Sequence, residues 1–175
     1  MSKARIAKNV AASPPSQFLK AVAKAGIDSA YAQAGLKAIK GEHRAAIKPK
    51  ATRRLTGSMD MDAALSAEFP QDSRWDYGVG LLLADNKTEV AIWVEVHPAT
   101  TGEVSSMLSK LAWLKTRLKQ YADLGKLTAR AEKNNVQPFY WMPTDSGVHI
   151  HAHMPQARRL AAQGITLPVS VLRLP

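Results

Sequence analysis

The chain contains no cysteine among its 175 residues. Disulfides and zinc–thiolate centres are therefore excluded, and a reducing compartment is expected. No stretch approaches the ~18 consecutive apolar residues of a membrane-spanning helix, so no membrane partner is expected. Lys3 and Arg5 make the start basic, but no apolar segment follows them, and Pro14-Pro15 would break the amphipathic helix of a targeting peptide. The sequence thus points to the cytoplasm.

Acidic residues are scarce and unevenly placed. The chain holds 14 Asp/Glu against 24 Lys/Arg. Residues 1–55 carry 12 Lys/Arg but only Asp28 and Glu42, a net charge of +10, whereas residues 56–175 carry 12 of each sign and are neutral. The expected organisation is a basic, partly helical or disordered N-terminal extension over 1–55, followed by a compact α/β domain over 56–175. An imbalance confined to one segment points to a polyanionic partner. Lys48, Lys50, Arg53 and Arg54, around the break at Pro49, are the candidate phosphate contacts with nucleic acid. A solubilising arm, or one that meets an acidic protein, has the same composition. Oligomeric state is not legible.

The order of elements follows from periodicity. Residues 1–15 read as a polar, disordered start. Ser16 to Lys40 has helical spacing of apolar residues, broken at Gly26 and Gly35, and reads as two short helices. Asp60 or Asp62 caps a helix that runs to Pro70. Trp75–Leu83 and Val90–Val96 alternate as strands, with Asp85-Asn86 as the turn of a hairpin. Thr100-Thr101-Gly102-Glu103 has the form of a capping box. After it, Val104, Met107, Leu108, Leu111, Leu114, Leu118 and Tyr121 form one apolar helix face. Phe139–Met142 and 148–153 read as strands, 155–163 as a helix closed by Gly164, and 169–174 as a last strand.

The hairpin carries the candidate chemistry. With a two-residue turn at Asp85-Asn86, cross-strand partners sum to 171 and Asp76 faces Glu95. A shift of two brings His97 opposite Asp76 instead. Side chains alternate along a strand, so Asp76, Glu95 and His97 share one face in either register. Gly78 and Gly80 on that face leave room for a ligand. Two adjacent carboxylates repel unless one is protonated or a cation lies between them. Such oxygen donors suit Mg2+ or Mn2+, which activates water for phosphodiester cleavage. The plainer alternative is that Asp76 starts a strand and Glu95 is a solvated strand residue.

Asp76, then Glu95-Val96-His97 on the next strand, then a helix from Thr100, resembles the core of the PD-(D/E)xK, or restriction-endonuclease-like, nuclease superfamily. The resemblance spans roughly Met59 to Tyr140. It implies a core of helix, three strands, helix and strand, and metal-dependent action on nucleic acid. It further implies Asp76 and Glu95 as metal ligands, Glu68 as an additional acid, and His97 in the lysine position. Lys110 or Lys115 on the following helix would then supply the missing cation. A non-catalytic binding module with a degenerate site is the alternative. Parts of the chain, including Trp93 to Pro98, are also similar to bacterial proteins with no assigned activity.

Other features have structural explanations of their own. His149, His151 and His153 would share a strand face, as a polar edge; alternatively His149 and His151, with Asp145 or His97, would form a zinc site. Trp75, Trp93, Trp113 and Trp141 are expected in the core, with Trp93 on the carboxylate face.

Overall fold

Residues 77–82 and 89–96 pair as the antiparallel hairpin that their alternation predicts. Tyr77 faces Val94, Val79 faces Ile92 and Leu82 faces Glu89, and each pair sums to 171. The connection is longer than two residues but keeps that register. Asp85 accepts hydrogen bonds from the backbone N–H of Lys87 and Thr88 and from the Thr88 hydroxyl, and Asn86 takes the left-handed conformation the turn requires, at φ 54°.

The computed structural model describes residues 15–144 and 147–175. The expected disordered start up to Pro14 and the zinc candidate Asp145 lie outside the described residues. In chain order the elements are α1 (Gln17–Lys24), β1 (Ala32–Gln33), α2 (Gly41–Ala45), β2 (Ile47–Pro49), β3 (Leu55–Asp60), α3 (Met61–Leu65), β4 (Tyr77–Leu82), β5 (Glu89–Val96), α4 (Val104–Gln120), α5 (Ala122–Lys133), β6 (Phe139–Met142), α6 (Pro155–Ala162) and β7 (Leu172–Leu174). The result is a mixed α/β fold. Its five-stranded sheet has the order β1-β3-β4-β5-β6 and is antiparallel except for β5 and β6, which run parallel. β2 and β7 form a separate parallel pair. Among the described residues no helix is long and apolar enough to cross a membrane.

Each face of the sheet buries its own apolar cluster. Ala91 and Trp93 pack with Phe18 and Val22 of α1, Met107, Leu111 and Leu114 of α4, and Leu124 and Leu127 of α5. Tyr77, Val79, Leu81, Val90, Ile92 and Val94 pack with Ile39, Ile47, Leu172 and Leu174. Burial of one such side chain stabilises by about 1.5–3 kcal/mol, so both layers hold the central strands.

The boundary expected at residue 55 is not a break in packing. Phe18, Ala21 and Val22 of α1 are buried against the sheet, and Ile39 and Ile47 belong to the opposite core. The described part of 1–55 is integral to the domain because Glu89 fastens it. The Glu89 carboxylate is buried and accepts from the Ser16 hydroxyl (2.9 Å), the backbone N–H of Gln17 (2.8 Å) and Phe18 (2.9 Å), and the Thr56 hydroxyl (2.6 Å). A carboxylate there satisfies helix N–H groups and complements the helix dipole.

Two local expectations are corrected, and two stretches left unassigned by the sequence take up structure. Residues 55–60 form strand β3, because pairing with β4 outweighs their weak strand propensity. The helix capped by Asp60, which accepts from Ala63 N–H, ends at Leu65. Residues 122–133 form helix α5, which meets α4 closely enough that a Cβ on Gly125 would lie 2.5 Å from the Leu118 carbonyl oxygen. Residues 148–153 make one bridge, Val148 to Ala99, and no strand.

Candidate active site

Asp76 immediately precedes β4, and the hairpin register continued by one residue sets it beside Glu95. The two are tied reciprocally. The backbone N–H of Asp76 donates to Glu95 Oε2 at 3.0 Å, and the backbone N–H of Val96 donates to Asp76 Oδ2 at 2.9 Å. The Asp76 carbonyl accepts from Met61 N–H at 2.8 Å, which anchors α3 to the same point.

Helix α4 delivers the third member. Its buried face, with Val104, Met107, Leu111 and Leu114, fixes its rotation. Lys110, next to Leu111, then reaches the cluster. Lys110 Nζ lies 2.6 Å from Glu95 Oε1 and donates to the Arg74 carbonyl at 2.9 Å. At 2.6 Å this is a close charge-assisted contact, and among the described residues no other donor reaches Oε1.

Burial controls the electrostatics. The Glu95 side chain is 0 % exposed and that of Lys110 17 %. Two carboxylates meet one ammonium, leaving one negative charge without a partner. The nearby Arg74 guanidinium pairs with Asp62 at 2.8 Å instead. Burial, reinforced by the charge of Asp76, pushes the Glu95 carboxyl up to about 8 despite the opposing Lys110. Burial also raises the Asp76 carboxyl, against the lowering effect of the Val96 N–H. Such a pair holds either an extra proton or a cation. Two carboxylates, with water completing the shell, are the kind of donor set that holds Mg2+, and here the Lys110 ammonium lies against Glu95 Oε1 at 2.6 Å. Among the described residues no three His, Asp or Glu side chains gather as a protein-only metal cage.

The other expected site residues go elsewhere. The His97 ring pairs with Glu103 Oε2 at 2.8 Å, so Glu103 does not close the capping box, and Thr100 makes no side-chain cap. Glu68 is exposed in the turn after α3, where its charge helps raise the Tyr121 hydroxyl, itself raised mainly by burial. Asp62 is the neighbouring acid that acts on Asp76. Lys115 donates to the Gln163 carbonyl and stands over the Phe139 ring. The room expected at Gly78 and Gly80 is filled. A Cβ on Gly78 would lie 2.7 Å from the Trp93 ring and one on Gly80 2.5 Å from Phe18 Cβ, so Gly78 admits the Trp93 indole and Gly80 admits α1.

Lys48 and Lys50 are exposed on and beyond β2, and Arg53 and Arg54 form the short turn before β3. His151 and His153 stack with ring centroids 6.0 Å apart in a turn, which removes the shared strand face. Trp75, Trp93 and Trp141 are fully buried. A cleft of about 270 Å3 lined by His43, Val96, Met142 and Thr144 lies with the opposite face of the sheet, and neither Asp76, Glu95 nor Lys110 lines it. Compared with known proteins, the chain matches no family model, no curated protein and no solved structure.

Proposed function

We propose that the protein is a divergent PD-(D/E)xK-like nuclease that hydrolyses phosphodiester bonds of nucleic acid with Mg2+ or Mn2+. The observation that carries this is the approach of Lys110 to the Asp76–Glu95 pair. His97 departs from the superfamily pattern, and in this reading the Lys110 ammonium from α4, 2.6 Å from Glu95, serves in place of the lysine. Part of the element order is compatible with this reading: α3 precedes the β4-β5 hairpin, α4 follows it and β6 runs parallel to β5, while α5 intervenes between α4 and β6 and β3 adds a strand before α3.

In this mechanism Asp76 and Glu95 would hold the metal, which when bound would lower the pKa of a water and offset charge on the phosphate. Val96 N–H and Asp76 N–H fix the two carboxylates before substrate arrives. Lys110 orients the attacking water and stabilises charge developing on the non-bridging phosphate oxygens.

One observation favours a second reading, a non-catalytic binding module of the same fold. Glu95 is fully shielded, with Oε2 held by Asp76 N–H and Oε1 against Lys110. Calorimetric titration with Mn2+ at pH 8 separates the two. The nuclease reading expects binding that weakens at least about 10-fold in Asp76→Asn and is unchanged in Glu68→Gln. Absence of Mn2+ binding in the wild type supports the module.

A further inference from the structure

Strands β2 and β7 run parallel with Ile47 beside Leu172, Lys48 beside Arg173 and Pro49 beside Leu174. Ile47, Leu172 and Leu174 face the core, so alternation turns Lys48 and Arg173 together into solvent. Two cations are thereby held on adjacent strands about 4.8 Å apart. Like charges placed opposite each other on a sheet are unfavourable. Nothing in the described structure offsets them, since Lys48, Lys50 and Arg173 make no ion pair among the described residues. By contrast, Lys24 and Lys126 in the cleft between α1 and α5 share Asp123.

The three cations line one groove of about 610 Å3, together with Asn135, Tyr140 and Pro175, whose terminal carboxylate is the one anionic group there; the lining has no Asp or Glu side chain. Tyr140 is only partly buried, and Asn135 is exposed. A groove of unpaired cations with an aromatic ring at its wall suits a chain that alternates phosphates with planar bases. A duplex hides its base faces, and an acidic peptide has no use for the ring. We propose that this groove binds single-stranded nucleic acid, with phosphates on Lys48, Lys50 and Arg173 and a base against Tyr140. The choice of ligand rests on the nucleic-acid reading above, but the binding does not require hydrolysis.

Fluorescence anisotropy with a labelled thymidine oligonucleotide of about 20 residues, in EDTA, tests this without registering cleavage. The double variant Lys48→Gln/Arg173→Gln should lose at least about 10-fold in affinity at low salt, and its salt dependence should shallow by about 1.4 in log–log slope. Tyr140→Leu should weaken binding about 5-fold or more without changing that slope. Circular dichroism should show both variants folded. Unchanged affinity in the double variant overturns the proposal. So does tighter binding of a duplex of the same length, or displacement by polyglutamate as effective as by unlabelled oligonucleotide.

Discussion

Lys110 Nζ and Glu95 Oε1 stand 2.6 Å apart at the end of the central hairpin, with the carboxylate wholly out of solvent. The same carboxylate accepts from Asp76 N–H, so one ammonium serves two acids. The consequences concern charge, and pH reveals them.

The Glu95 carboxyl is raised from its ordinary value near 4.5 to about 8. Between those values the folded state binds more protons than the unfolded chain, so this group makes stability fall as pH rises through that window. Glu95→Gln mimics the protonated form. It should match the wild type in urea unfolding at pH 5 and exceed it in stability at pH 9. Equal pH slopes for the two proteins would contradict this assignment.

Lys110→Met removes the only ammonium paired with Glu95 among the described residues. The cost should be small at pH 5, where Glu95 carries a proton, and rise to about 3 kcal/mol at pH 9, where a buried charge loses its partner. A pH-independent loss would mean that Lys110 acts through packing of its stem alone.

Glu89 joins α1 to the sheet through four hydrogen bonds. Glu89→Ala leaves two helix N–H groups and two hydroxyls without their acceptor, and should destabilise by about 3 kcal/mol. Hydrogen exchange of the α1 amides should accelerate more than that of α4. Uniform acceleration would show that α1 is not a separately released element.

Gly80 lies under α1, where a Cβ would meet Thr56 Oγ1 at 2.4 Å and Phe18 Cβ at 2.5 Å. Gly80→Ala should cost about 1–3 kcal/mol through displacement of the helix. An unchanged melting temperature would show that α1 yields without cost.

What was legible in the sequence was mostly local. The alternation on either side of Asp85-Asn86 led to the right register and hence to Asp76 beside Glu95. The apolar stripe from Val104 to Leu118 led to α4 and so to Lys110. What escaped depends on distant partners. Gly57-Ser58-Met59 has little strand character until β4 pairs with it, and β2 is a strand only against β7 across more than a hundred residues. Glu103 had the spacing of a capping box, but the nearby His97 imidazole takes its carboxylate. Helix α5 did leave a signal in Leu124, Leu127 and Ala131, masked by Gly125 and by surrounding charge. The Gly78–Gly80 pair was legible as space, yet the space belongs to Trp93 and Phe18.

The central claim is tested most directly by following cleavage of single-stranded and duplex DNA and RNA by the purified protein in Mn2+, in Mg2+ and in EDTA. The account predicts metal-dependent products from the wild type. It also predicts a loss of at least about 100-fold in rate for Asp76→Asn and for Lys110→Ala. Wild-type rates retained in either variant, or no cleavage of any substrate by a wild type that binds Mn2+, would contradict it.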